Sequence, residues 1–499
     1  MGDANKYRGC EPPDGGYGWV VVAAGFVVFF IAGGTFAVGG IFVVEFMEYF
    51  KQGAAQAAWI GALFGVNITS IGPLAGLMTT HFGSRPTVMF GGFLSTIGFV
   101  LSSFAPSLKF LYLSYGVCIG WGFGIAVIPT VVIISEYFRK RYAIANGITF
   151  TGAAIGTLVL PPIYNILIRE YYWWGALLLA GGLSAQLMVC GALMRPLSLR
   201  MRGSQRNKHL QNKVRADDQN RTGVANVNEQ VVSLLGRETD AHLQNDKKTY
   251  NTTSSGTWIT DKSILDSSNF NLKRKIRQKL ENFFSMIGIT LFMEYPTFTI
   301  ICIAQFLEGF GWNTAITLLV ARAVSSGISK MDASLMLTVL GATSLLGRTC
   351  HGIIVDHGLI SPIRLFGIAI AIGGVGMLLN PLTNIYGILV ALAALLGLSS
   401  GTYQPLVPVS IRACIGEQHL STGVGLDYFI MGIGYVAGPP FSGWLYDTMG
   451  DYKAAFFVAG ATLLAGGILI ILAPCLGSLC SRNADRQSNI HSEKFHNVV

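Results

Sequence analysis

The segment GITFTGAAIGTLVLPP at 147–162 is matched 278 residues later by GLDYFIMGIGYVAGPP at 425–440. A glycine opens both segments, a second glycine follows nine residues on, and both segments end on a double proline. Matching residues at a fixed offset indicate an internal duplication. The chain is therefore predicted to contain two copies of one structural unit.

Other apolar segments repeat at nearly the same offset. At an offset of 276, Gly76 matches Gly352, Pro86 matches Pro362, and Arg348 falls opposite Gly72. The duplication thus covers several apolar segments, and it does not require a charge at position 348.

The composition is that of a membrane protein. The 499 residues are 51% hydrophobic and only 12% charged, with a mean hydropathy of +0.51, whereas soluble domains are about 25% charged. This composition excludes an ordinary soluble enzyme and a disordered scaffold. Twelve stretches are long enough to span a bilayer, six in each half: 18–44, 56–80, 87–105, 109–134, 142–168, 173–194, then 290–320, 331–355, 362–380, 384–411, 421–445 and 453–475.

The spans divide the chain into five regions, whose topology follows from charge. The central loop is polar and poor in aromatic residues, so we expect it to be disordered. Basic residues cluster between spans, as at 139–141, and the positive-inside rule places the loop and both termini in the cytoplasm. The net charge of +9 is therefore explained by membrane topology, without a nucleic acid partner. The regions are a cytoplasmic segment 1–17, a six-helix bundle 18–194, the loop 195–289, a second bundle 290–475 and a cytoplasmic tail 476–499.

One arginine lies well inside a predicted span. Arg348 falls in the eighth span, where a charge is expensive and usually functional. Its planar guanidinium is suited to holding a carboxylate through two hydrogen bonds. Two interpretations stay open: Arg348 anchors a substrate carboxylate, or it pairs with Asp427 or Glu308. Ser344 lies one helical turn earlier on the same face.

Three further polar residues are candidates for the site. His351 follows Arg348 by three residues and could relay protons, or it could be a hydrogen-bonded core histidine. Tyr403 and Gln404 stand among glycines and prolines that are expected to bend or break the tenth span. Such a break is tolerated inside the protein or along a cavity, so these two residues indicate either a cavity wall or a packing kink.

Signatures of catalysis and of metal or nucleotide binding are absent from the sequence. It contains no Gly-x-Ser-x-Gly, no His-Glu-x-x-His and no Walker loop. The eight cysteines are scattered singly, without metal-ligand spacing. We therefore expect no enzyme, no ATP-driven pump, no cofactor and no metal.

Two loop motifs resemble the cytoplasmic loop motif of the major facilitator superfamily. They run from Gly76 to Arg85 and from Gly352 through Asp356, although Thr80 replaces the aspartate in the first copy. The resemblance implies that Asp356 caps a neighbouring helix, and that Gly76, Arg85 and Asp356 belong to a gating loop. It further implies an all-α membrane protein of twelve transmembrane helices in two parallel six-helix halves, with the substrate site between them near the middle of the bilayer.

Two other motifs resemble those of the monocarboxylate transporter family. They are Asp14-Gly15-Gly16-Tyr17-Gly18-Trp19, and Tyr137-Phe138-Arg139-Lys140-Arg141 followed by Ala145-Asn146-Gly147. The resemblance implies transport of small carboxylates across the plasma membrane and makes Asn146 a pocket-lining residue. Members of the family often associate with a single-span immunoglobulin-type glycoprotein. The resemblance therefore makes such a glycoprotein a candidate partner, in addition to the lipid bilayer.

The coupling residues of the family's proton-coupled lactate carriers are missing. Those carriers use a lysine in the first span and an aspartate four residues before the arginine that Arg348 matches. Ser344 stands at the aspartate position, and the first span lacks a lysine. The resemblance therefore favours facilitated diffusion, as in the branch that includes a creatine transporter. The alternatives are a proton-coupled lactate or pyruvate symporter and a non-transporting sensor or scaffold with the same fold.

Overall fold

The computed structural model describes residues 14–51, 54–197 and 288–496. All regular secondary structure in these ranges is helical. The expected disorder of the central loop falls almost entirely on 198–287, outside the described residues. Most of the predicted cytoplasmic segment 1–17, namely the residues before Asp14, also lies outside the described residues.

Each half of the described chain supplies six spans. Nine helices are long and apolar enough to cross a membrane, or ten when a pair bent by 42° counts as one span. The longest helix, Tyr142–Leu193, consists of two spans, and Pro296–Ser325 is a further span, so the total is twelve. In chain order they are α1 Gly18–Phe50, α2 Ala54–Ser70 with Gly72–Phe82, α3 Ser84–Ser103, α4 Leu108–Tyr137, α5 142–171, α6 173–193, α7 Pro296–Ser325, α8 Lys330–Asp356, α9 Pro362–Leu379, α10 Tyr386–Ile415, α11 Leu420–Met449 and α12 Lys453–His496.

Single residues account for two departures from continuous helix. Tyr172, with φ 58° and ψ 175°, separates α5 from α6 within the helical stretch Tyr142–Leu193. In α2 the bend falls beside Pro73, because proline removes a helical hydrogen bond and its ring clashes with the preceding turn. The expected span at 56–80 is thus a broken helix.

Glycine lets the same pair of helices approach closely in each half. A Cβ added at Gly156 of α5 would lie 2.1 Å from the carbonyl oxygen of Phe30 in α1. A Cβ added at Gly434 of α11 would lie 2.3 Å from the carbonyl oxygen of Phe306 in α7. Only a residue without a side chain permits such backbone contact. Since these positions match in the sequence repeat, the two halves are built alike.

Candidate functional site

A cavity of about 230 Å³ lies between the two halves of the bundle. The first half contributes residues of α1, α2, α4 and α5, and the second half contributes residues of α7, α10 and α11. Most of the wall is apolar or aromatic. Its aromatic residues are Phe29, Phe36, Phe150, Tyr403, Tyr428 and Tyr435, and its polar residues include Thr69, Gln305, Glu308 and Gln404.

Arg348 of α8 lies directly behind this wall. It is 9% exposed, and its guanidinium donates to the carbonyl oxygen of Phe150 at 2.6 Å and to Oε1 of Gln404 at 2.7 Å. Both acceptors are neutral and belong to residues of the cavity wall. The third nitrogen, Nε, has no protein partner. These contacts therefore fix the guanidinium beside the cavity but do not neutralise its charge.

Neither acidic residue considered as a structural partner forms an ion pair with Arg348. Glu308 of α7 is 1% exposed and lines the cavity. Its Oε1 accepts a hydrogen bond from the Tyr403 hydroxyl, and its Oε2 has no partner. Asp427 of α11 is fully buried, accepts from Gln305 Nε2 at 3.3 Å, and leaves Oδ1 without a partner. Within the described ranges, the salt bridges found involve other residues.

Three residues expected near the site lie outside the cavity wall. Ser344 is buried against α10, where a Cβ added at Gly401 would lie 2.1 Å from the carbonyl oxygen of Ser344. Asn146 donates through Nδ2 to the carbonyl oxygen of Pro405 at 2.7 Å and thus joins α5 to α10. His351 is buried, with Nδ1 3.1 Å from a backbone carbonyl of its own helix. Close helix packing places all three at contacts between α5, α8 and α10, and their roles in binding stay predictions.

The end of the bundle that carries Asp14 is closed by repeat-related contacts between the halves. A Cβ at Gly147 would lie 2.5 Å from the carbonyl oxygen of Arg348, and one at Gly72 would lie 2.2 Å from that of Gly425. Gly147 matches Gly425 in the repeat, and Arg348 matches Gly72. The two crossings, α5 with α8 and α2 with α11, are therefore closed in the same way.

The loop motifs reinforce these two crossings unequally. Asp356 accepts the backbone N–H groups of Ala143 at 3.2 Å and Ile144 at 2.9 Å, and so caps the start of α5. In the other copy, Ser421 donates to the carbonyl oxygen of Gly76 at 2.9 Å. Arg85 is partly exposed at the start of α3.

The two signature motifs contact each other at this closed end. Asp14 Oδ1 accepts the backbone N–H groups of Arg139 and Lys140 at 2.8 and 2.9 Å, with that of Arg141 at 3.4 Å. Asp14 N donates to the carbonyl oxygen of Tyr137 at 3.1 Å. Gly16, which follows Gly15, has φ 58° and lets the chain turn into α1. The rings of Trp19 and Phe138 pack edge to face, with their centroids 5.1 Å apart. These motifs therefore hold α1 to the turn before α5, away from the cavity.

The cavity continues toward the opposite end of the bundle. A second cavity of about 510 Å³ shares Phe36, Gly65 and Tyr435 with the first one. It extends to Trp59 near the start of α2 and to Pro440 in the second half of α11. The site is therefore approached from the end opposite to Asp14.

Sequence reasoning missed most of the aromatic wall. Phe29 and Phe36 are seven residues apart in α1, and Tyr428 and Tyr435 are seven apart in α11. A spacing of seven places side chains on one helix face. That spacing was a usable signal, although core packing also produces it. Gln305, one turn before Glu308, was also missed.

Comparisons with known proteins agree with this architecture. The sequence profile of the Major Facilitator Superfamily matches residues 24–267 and 301–486. Monocarboxylate transporter 12 of Xenopus laevis is 30% identical over 97% of this chain and 95% of its own length. Monocarboxylate transporter 13 of Rattus norvegicus is 30% identical over 96% of this chain and 94% of its own.

Solved structures show the same fold. The E. coli fucose:proton symporter FucP superposes with a TM-score of 0.59 at 15% identity, over 92% of this chain and 99% of that one. The human organic anion transporter MFSD10 gives 0.57 at 14% identity, over 92% and 100%. The chain is a multi-pass membrane transporter of the major facilitator fold, not an enzyme. It belongs to the monocarboxylate transporter family, as the signature motifs predicted.

Proposed function

We propose that this protein moves small monocarboxylates, or related carboxylate-bearing metabolites such as creatine, across the plasma membrane by facilitated diffusion. One observation carries the proposal. The Arg348 guanidinium is buried beside the central cavity, where it donates hydrogen bonds to two neutral acceptors, the Phe150 carbonyl and the Gln404 side chain. A desolvated cation of this kind is a strong site for a carboxylate, because charge-assisted bidentate hydrogen bonds are among the strongest in proteins.

The proposed transport cycle is alternating access around this cavity. The Gly147 and Gly72 contacts close one end of the bundle, while the second cavity extends toward the other end. Rocking of the two halves would open the closed end and seal the open one. The positive-inside rule predicts that both termini and the central loop are cytoplasmic. On that topology the closed end would face the cytoplasm and the site would face outward.

Replacement of Arg348 tests the substrate-anchor role. We expect Arg348→Ala to abolish uptake while surface expression stays normal, and Arg348→Lys to lower uptake at least tenfold, since a lysine lacks the planar fork. Uptake is measured in proteoliposomes, and surface expression is measured in cells with and without an immunoglobulin-type ancillary glycoprotein.

Arg322 provides a matched control. It is also buried in α7, but it lies in a separate polar cavity and bonds Asn384 at 3.0 Å. Arg322→Lys should transport much better than Arg348→Lys. Full activity of Arg348→Ala would remove the anchor role. Absence of flux in the wild-type chain would instead favour the non-transporting sensor or scaffold.

A further inference from the structure

The central cavity contains a carboxylate that no described cation neutralises. Glu308 is 1% exposed, and its Oε2 has no protein partner, while Oε1 accepts from the Tyr403 hydroxyl. An unpaired charge buried in this way is costly unless hydrogen bonds and an opposite charge compensate it. One hydroxyl compensates Glu308 only in part. The residue is therefore suited to receiving a positively charged group from the cavity.

The wall around Glu308 supports the same chemistry. Three tyrosines of the second half line the cavity, Tyr403, Tyr428 and Tyr435. Phe29, Phe36 and Phe150 contribute further aromatic rings from the first half. Aromatic faces attract ammonium and guanidinium groups, most strongly when the contact is desolvated. A simple apolar pocket would not need a buried carboxylate among these rings.

The two charged groups are connected through neighbouring residues of α10. Tyr403 donates to Glu308, and the next residue, Gln404, accepts from Arg348. Tyr403 and Gln404 both line the cavity. An anionic side chain in the cavity wall and a cationic side chain behind that wall are thus linked through adjacent positions of one helix. Arg348 and Glu308 are kept apart, because each has its own hydrogen-bond partners instead of the other.

We propose that Glu308, with Tyr403 and the aromatic wall, forms a cation subsite, so that the preferred substrates are zwitterions carrying a carboxylate together with an ammonium or guanidinium group. The proposal rests on the proposed function, because Arg348 must hold the carboxylate end. The volume of about 230 Å³ is below the roughly 300–1,000 Å³ of pockets for drug-sized ligands. The substrate is accordingly a small metabolite.

Two probes of the same size and shape can separate the contribution of the cationic group to binding from that of the rest of the molecule. 4-Aminobutanoate and pentanoate have the same chain length and differ by an ammonium group in place of a methyl group. We expect the purified full-length protein to bind 4-aminobutanoate at least tenfold more tightly, measured by ligand-induced thermal stabilisation. In Glu308→Gln the affinity ratio should fall close to one, since glutamine keeps the size and the acceptor for Tyr403 but removes the charge. Glu308→Asp should keep part of the preference.

Asp427→Asn is the matched control. Asp427 is an equally buried carboxyl in the same half, but it is held by Gln305 and does not line the cavity. Its replacement should leave the affinity ratio unchanged. Monodisperse gel filtration of every variant separates a lost subsite from a lost fold.

The outcomes separate this subsite from transport itself. A Glu308-dependent preference in binding supports the subsite even when proteoliposomes show no flux, in which case the proposed function fails alone. Equal binding of the two probes by the wild-type protein overturns the subsite while flux of pentanoate upholds the proposed function. An affinity ratio that Glu308→Gln leaves intact, with only the pH dependence of uptake altered, would overturn the subsite and make Glu308 a proton acceptor.

Discussion

Gln404 connects the charge of Arg348 to the cavity at the scale of single residues. Its side-chain oxygen lies 2.7 Å from the guanidinium, and the residue itself lines the cavity. A carboxylate at this position would form a charge-assisted bond with Arg348 and compete with the carboxylate of the substrate. We therefore expect Gln404→Glu to lower uptake at least tenfold in a protein that remains folded, measured in proteoliposomes together with the unfolding temperature.

Gln404→Met is the control for that substitution. Methionine removes the acceptor without adding charge, so Arg348 keeps its full capacity for a substrate carboxylate. Uptake by Gln404→Met should exceed uptake by Gln404→Glu about tenfold. Equal uptake by the two variants would mean that the guanidinium does not meet the substrate.

Rarity decides which site residues can be found from sequence. Arg348 and Glu308 stood out in the sequence because charges inside predicted spans are few and expensive, although Glu308 was considered only as an ion-pair partner or a proton acceptor. Asn146 and Ser344 were predicted to face the pocket, but they lie at helix contacts. Which helix face meets the cavity depends on packing partners far along the chain, such as Pro405 opposite Asn146. No local pattern around Asn146 reports that distant contact.

At the scale of elements, only one of two matched helix starts has a carboxylate cap. Asp356 accepts two backbone N–H groups at the start of α5. The matched position near the start of α11 holds Thr80, one turn after Gly76, whose carbonyl oxygen accepts from Ser421. Carboxylates at helix starts contribute about 0.5–2 kcal/mol through hydrogen bonds and the helix dipole.

Thr80→Asp should supply the missing cap. By repeat symmetry the new carboxylate would reach the backbone N–H groups of the first turn of α11. We expect a higher unfolding temperature in detergent and slower uptake, because the closed end is stabilised. Thr80→Asn, which lacks the charge, should have a smaller effect, and Asp356→Asn should shift both quantities in the opposite direction. A fall in the unfolding temperature of Thr80→Asp would contradict the pseudo-symmetric capping.

Helix boundaries were predictable to the extent that composition determines them. The apolar stretches located all twelve spans, because the bilayer sets their minimum length. The division of α5 from α6 depends on one left-handed residue, Tyr172. Tyrosine has no special preference for that conformation, so the sequence shows a gap between spans but not the turn within it. The break beside Pro73 had a visible cause, but the break expected in the tenth span was wrong, since α10 runs as one helix through Pro405 and Pro408.

At the scale of the whole molecule, the duplication explains how the two halves close the same end of the cavity together. Gly147 with Arg348, and Gly72 with Gly425, are repeat-related contacts that both close the end near Asp14. A rigid rotation of the two halves about the cavity can release both contacts together, because the repeat places the two crossings at the same end. The sequence repeat predicted this two-half architecture, whereas the end that is closed could be learned only from the packed helices.

The driving force is also a property of the whole molecule. Proton coupling needs a titratable group that contacts both the substrate site and water in turn. The first span has no lysine, Ser344 replaces the acidic position of the lactate carriers, and His351 and Asp427 do not line the cavity. If Glu308 serves the cationic end of the substrate, no lining group remains dedicated to a proton.

We therefore expect uptake of a zwitterionic substrate such as creatine to be nearly the same at about pH 6 and about pH 7.5, a range that brackets the ordinary titration of histidine. The substrate should equilibrate without accumulating, and a proton ionophore should leave the rate unchanged. Labelled lactate measured in parallel gives the opposite test. Strong acid stimulation of lactate uptake, abolished by the ionophore, would show that a buried carboxyl such as Glu308 or Asp427 carries the proton and that the protein is a symporter.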